Sequence, residues 1–281
     1  DQTAIALAMA ASMASGLKAN FGTMTKPLHV GHSARSGLLA VLLAEQGFDA
    51  APDTMEHHQG FFEVYNGAGN YAAERLLEDW DDGPWATEAE DLAIKQFPCC
   101  GSTHQCITAM QRMRAKHTIP PEAVAGIEIM PHIRRLRHTN TPFPESELEA
   151  KFSTQYVVAR TLLDGTVKLK DFENEAFREE PVRRLLEMTT AQPHPDLEGD
   201  DKDNWGAEVI VTLQDGQKIS ETVSNLIGRS GENTMTSDDL WEKFEDCAGR
   251  VLPAGRLRPL FDGLMSIDTV DDIPGLVGLM E

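Results

Sequence analysis

The pattern of apolar and polar positions changes period twice along the chain. Residues 3–15 (TAIALAMAASMAS) carry Ala, Met, Leu and Ser on nearly every face, as a helix enclosed by other helices requires. GTMTKPLHVGHSARSGLLAVLLAEQG, Gly22 to Gly47, reads as a second helix. Pro27 has a fixed φ and no N–H and suits a first turn, so Thr25 or Lys26 is the expected N-cap and Gly47 the stop. Gly47 to Pro52 turns the chain, a short helix is expected around Gly60 to Tyr65, and Asp81-Asp82-Gly83-Pro84 closes the run. Residues 1–85 are therefore expected to form helical hairpins.

After Trp85 the period shortens in places. A helix near 104–117 is broken by Pro120-Pro121, and AGIEIMPHIRR (125–135) alternates as a strand does. Helices are expected at 146–163, ending at Asp164-Gly165, and from Pro181. WGAEVIVTLQDGQKISETV (205–223) is the clearest hairpin, with Asp215-Gly216 accepting the positive φ of a tight turn. Thr236, Ser237, Asp238 and Asp239 cap an amphipathic helix carrying Leu240, Trp241, Phe244 and Cys247. The expected class is mainly α: a helical part over 1–85, an α+β part over 86–232, and helices over 233–281.

Composition narrows the function classes. The 281 residues suffice for one large or two ordinary domains. A net charge of −20 argues against nucleic acid or an anionic membrane as partner, so an anionic ligand would need a local cluster such as Lys26, Lys95 and Arg35. Four cysteines are too few for a disulfide framework, which points to the cytoplasm. Cys99, Cys100 and Cys106 do not have zinc or iron–sulfur spacing, and no apolar run is long enough to span a membrane.

Lys26 draws attention first. A lysine at a helix mouth joins its ammonium to the helix dipole and to unpaired N–H groups, a setting for a carboxylate or phosphate. GTMTK is not a phosphate-binding P-loop, because no glycine precedes the lysine and proline follows it. His29 and His32 share a face but have no acidic third ligand nearby, so metal is not expected. No serine or cysteine nucleophile arrangement is present.

Five stretches, in order, carry a resemblance: GTMTKPLHVGHSARSGLLAVLLAEQGF, GFFEVYNG (60–67), KQFPCCGSTH (95–104), EAKFSTQYVVARTLLDG (149–165) and TMTSDDLWEKF (234–244). Together they resemble the MmgE/PrpD family, which includes 2-methylcitrate dehydratases, cis-aconitate decarboxylases and iminodisuccinate epimerases. The resemblance implies a large all-helical domain interrupted by a smaller α+β lid, with residues 233–281 returning to the helical domain. It implies a homodimer and chemistry without metal or organic cofactor. It places Lys95 beside Lys26 in a cleft, with His104 as proton carrier and Thr25, His29, Arg35 and His138 towards the substrate. His138 stands where the decarboxylase members have tyrosine, which weighs against decarboxylation. Relatives also carry a long helical portion ahead of this point, holding further acid–base residues, so the chain looks like the C-terminal part of a longer polypeptide or one completed by a separate segment.

The chemistry follows from the cations. Removing a proton next to a carboxylate builds negative charge, and fixed lysines stabilise that charge more in the transition state than in the ground state. A histidine of near-neutral pKa would move the proton. The leading expectation is a dehydratase-type lyase for a small di- or tricarboxylate resembling 2-methylcitrate. An epimerase, a decarboxylase and a non-catalytic fragment are the alternatives.

Overall fold

Small residues decide how the first two helices meet. In the computed structural model, which describes residues 2–20, 23–78, 80, 93–197, 199, 206–224, 228 and 234–280, α1 (Gln2–Ser12) packs on α2 (Thr25–Glu45) through Met9, Ala40 and Ala44. Ile5, Ala6, Ala10, Met13, Leu43 and Ala50 surround that contact. The chain divides into two compact units, Asp1–Trp85 and Ala86–Glu281. The Asp81 to Pro84 break and Gly22 lie outside the described residues.

Within the first unit, α2 ends in a double hydrogen-bonded cap. The Phe48 N–H donates to the Leu43 carbonyl and the Gly47 N–H to that of Ala44, with Gly47 at φ 82°, where a side chain would be strained. The start differs from expectation. Helical geometry begins at Thr25, Met24 occupies the cap position, and Pro27 falls in the first turn. Thr23 explains the earlier start, because its Oγ1 accepts the Thr25 N–H at 3.2 Å and its carbonyl accepts the Lys26 N–H at 3.1 Å. Helix α3 (Phe61–Asn66) is tied back by Tyr65, whose hydroxyl donates to the Ala14 carbonyl at 2.7 Å. The described part of α1 buries only Ala8 and Met9, and Leu7 is 60% exposed, less enclosure than its all-round apolar pattern suggested.

The second unit is built on a four-stranded mixed sheet in the order β2-β1-β3-β4. Strand β1 (Val124–Pro131) runs parallel to β2 (Thr189–Ala191) and antiparallel to β3 (Ala207–Leu213), which pairs antiparallel with β4 (Lys218–Val223). The β3–β4 loop is Gln214-Asp215-Gly216, closed between Leu213 and Gln217, with Gly216 at φ 86°. Alternation puts Ile127, Ile129, Val209, Val211 and Ile219 on one face, and helix α4 (His104–Lys116) covers it with Ile107, Met110 and Met113. Glu221 lies on that same face and meets Lys116 at 2.6 Å and Arg112 at 3.9 Å.

Helix α5 (Ile133–Leu136) follows β1 directly. The helix expected at 146–163 is two helices, α6 (Glu147–Lys151) and α7 (Thr154–Asp164). Ser153 makes the break: its Oγ accepts the Tyr156 N–H at 3.0 Å and donates to the Thr141 carbonyl at 2.6 Å, a cap that competes with helix continuation. Inside α7, the buried Arg160 joins Glu179 and the Ala176 carbonyl, which anchors the approach to α8 (Glu180–Glu187). Helices α9 (Ser237–Ala248), α10 (Ala254–Met265) and α11 (Ile273–Gly278) belong to this unit by their contacts. Trp241 and Phe244 of α9 pack with Phe261 of α10.

Candidate active site

The expected site residues fall in both units. Thr25, Lys26, His29 and Arg35 all lie on α2 in the first. Lys26 and Arg35 are exposed, and Thr25 and His29 half-buried. The His29 ring lies against Gly16, where an added Cβ would come within 3.3 Å of it. The backbone donors expected to serve an anion at this helix start are already engaged. Thr23 takes the N–H groups of Thr25 and Lys26, Pro27 has none, and the Leu28 N–H donates to the Met24 carbonyl at 3.4 Å. Attraction for an anion here therefore rests on side chains and the helix dipole.

Lys95, His104 and His138 lie in the second unit, gathered around the KQFPCCGSTH turn. Phe97-Pro98 stops regular structure, and Gly101 to Thr103 form one tight turn leading into α4. Two bonds seat that turn: the Cys100 N–H donates to the Lys151 carbonyl at 2.9 Å, and Thr103 Oγ1 to the Cys100 carbonyl at 2.8 Å. Lys95 is exposed, and its Nζ donates to the Cys99 carbonyl at 3.2 Å. Its stem passes over Gly101, whose added Cβ would meet Lys95 Cε at 3.9 Å.

His104 opens α4 and is 4% exposed, with the Phe97 ring edge-on at 5.2 Å. Burial pushes its pKa down from 6.5 to about 4, the Lys95 charge pushes the same way, and the backbone of Cys99 and Phe97 opposes them. Its Nε2 has no hydrogen-bond partner among the described residues. The near-neutral titration expected of a proton carrier is thus displaced, because the ring is taken out of water beside a cation. His138 follows α5 on a turn held by Thr139, whose carbonyl accepts the Thr154 N–H at 2.9 Å. His138 Nε2 and Ser102 Oγ are hydrogen-bonded at 2.9 Å.

Sequence reasoning overlooked Ser102, although it lies inside a quoted motif. It also assigned nothing to Lys243, whose Nζ donates to the Lys95 carbonyl at 2.6 Å. The buried thiols offer no nucleophile: burial pushes Cys99 up to about 12 and Cys106 up to about 11. No group of three or more metal-ligating side chains occurs among the described residues. What the second unit supplies is a cation resting on the Cys99 carbonyl, a buried uncharged imidazole near it, and a hydroxyl–imidazole pair on the same segment.

Known proteins share this chain's sequence at the level of a family. The model of the MmgE/PrpD C-terminal domain matches residues 97–259, and that of the N-terminal domain residues 1–74. A cis-aconitate decarboxylase of Mus musculus is 31% identical over 283 residues, covering 98% of this chain and 56% of the relative. That of Homo sapiens is 30% identical, covering 98% and 57%, and that of Aspergillus terreus 25%, covering 100% and 59%. The chain thus spans less than 60% of the length of these relatives. With the ordered motifs and both domain models in agreement, the chain belongs to the MmgE/PrpD family.

Proposed function

We propose that the chain carries the lysine-rich part of a cofactor-independent lyase site for a small di- or tricarboxylate, dehydratase-type in the leading reading. The observation that carries it is the Lys95 ammonium, held on the Cys99 carbonyl beside the buried His104. An arriving carboxylate offsets the Lys95 charge, which after burial is the larger of the two charges that keep His104 from accepting a proton, Arg135 being the other. Substrate binding then raises the basicity of the imidazole when it is needed. Charge that develops on the carboxylate as the neighbouring proton leaves is stabilised by Lys95, with Lys26 as the second clamp. Thr25, His29, Arg35 and His138 orient the remaining polar groups of the acid.

The proposal includes a helical domain carrying Lys26 and an α+β lid carrying Lys95, with the helices of residues 237–278 grouped with the latter. It also includes a cytoplasmic homodimer, and further acid–base groups from an N-terminal helical segment on this or another polypeptide. Decarboxylation is the second reading, favoured by the relatives' being cis-aconitate decarboxylases, while His138 in place of tyrosine favours the first. Proton NMR in D₂O with 2-methylcitrate, cis-aconitate and an epimerisable dicarboxylate separates them. Loss of water supports the dehydratase and loss of CO₂ the decarboxylase. Deuterium uptake without net loss supports an epimerase, and no change in any acid refutes the enzyme reading.

A further inference from the structure

The TMTSDDLWEKF stretch has no task in the site described so far. Its helix, α9, has a tightly specified start. The Thr236 N–H donates to Asp239 Oδ2 at 2.9 Å and the Asp239 N–H to Thr236 Oγ1 at 3.1 Å, a reciprocal cap. Lys243 stands one turn beyond Asp239, at the i+4 position on the same face. The two side chains reach adjacent residues at the start of the KQFPCCGSTH stretch, one each. Lys243 Nζ donates to the Lys95 carbonyl at 2.6 Å, and Gln96 Nε2 donates to Asp239 Oδ1 at 3.5 Å. On the other side of Lys95, the Ile94 N–H donates to the Gly228 carbonyl at 2.9 Å.

We propose that Lys243, seconded by Asp239, is a positioning residue that fixes where the Lys95 ammonium is presented. The inference rests on the lyase reading and deepens it. Residues 94 and 95 belong to no helix or strand, so the backbone that carries the reacting ammonium has no ladder of its own to hold it. An ammonium on a peptide carbonyl is a charge-assisted bond, stronger than the neutral bonds usual in a loop. The capped α9 supplies that bond from a rigid element. Positioning matters here because a misplacement of about 1 Å at a reacting group lowers rate by roughly a hundredfold.

The test is a double-mutant cycle in the full protein with Lys243→Met, Lys243→Arg, Lys95→Ala and the Lys243→Met/Lys95→Ala pair. Lys243→Met is expected to lower kcat/KM by about tenfold to a hundredfold, mainly through kcat, and Lys243→Arg to recover most of it. In the Lys95→Ala background the same change should cost less than about twofold, because the carbonyl that Lys243 holds remains but the ammonium it positions is gone. Equal losses in both backgrounds overturn the proposal and leave Lys243 a support of the fold. A second readout needs no turnover. After reductive ¹³C-methylation of lysines, the Lys95 resonance, assigned by its loss in Lys95→Ala, should move towards the position of solvent-exposed lysines in Lys243→Met. An unmoved resonance overturns the grip on Lys95. A wild-type protein that turns over none of the acids overturns the lyase reading instead, and the resonance still decides whether Lys243 holds Lys95.

Discussion

His104 makes the stability of the second unit depend on pH in a way that one substitution can isolate. The native pKa is near 4 against 6.5 for the free side chain, so protonation favours the unfolded chain. The sign follows: the ring costs almost nothing above the unfolded value, and stability falls as the pH drops from about 6.5 towards about 4, where the native ring begins to titrate. At about pH 5 the unfolded ring is almost fully protonated, but only roughly a tenth of native molecules carry the proton, a difference worth about 2 kcal/mol. Urea unfolding of wild type and His104→Gln, each compared between about pH 7 and about pH 5, should therefore show a fall larger by about 2 kcal/mol in the wild type. The constant cost of burying a glutamine drops out, since each protein is its own reference. Asp171, held above its usual carboxylate range by burial, contributes in the opposite direction but equally in both proteins. A saturating dicarboxylate that binds Lys95 should shrink the difference by removing one of its causes. Parallel falls in the two proteins would mean that His104 is hydrated, and the proposed switching of its basicity would fail.

Lys95→Ala should lower kcat/KM by two or more orders of magnitude, about 3 kcal/mol, with unchanged circular dichroism because the side chain is exposed. Lys26→Met should abolish turnover without lowering the melting temperature, whereas retained activity would remove Lys26 from the site. Ser153→Ala deletes the cap that separates α6 from α7 and should cost about 1–2 kcal/mol in urea unfolding. Exhaustive chelation should leave turnover unchanged, and activity restored only by added metal would overturn the cofactor-independent scheme.

Features set by neighbours in sequence were the legible ones. Asp215-Gly216 marks a hairpin because glycine alone relaxes the positive φ of that loop, and Thr236 with Asp239 marks a helix start because the two cap each other across one turn. Ser153 was misread for a related reason. A serine inside an apolar helical pattern passes as tolerated, and only the distant Thr141 carbonyl turns it into a break. The parallel partner β2 is three residues long and has no period of its own to read. In the candidate site, the motifs pointed to Lys95 and His104, but not to the burial that displaces His104, whose ring meets Phe97 edge-on. The bond from Lys243 joins residues 148 positions apart and leaves no local mark.

The ion cluster under α4 has a consequence for how molecules of this protein meet one another. Strand β4 ends the sheet among the described residues, and the unpaired row of N–H and carbonyl groups along such an edge invites a strand from another chain. Glu221 sits on that edge strand with its carboxylate turned inward and paired to Lys116. A neighbouring strand that extended the sheet would bring its own inward-facing side chain against this charge and its partner, in the middle of the face between Ile219 and Val223. The same carboxylate that pins β4 beneath α4 therefore makes the end of the sheet a poor template for aggregation.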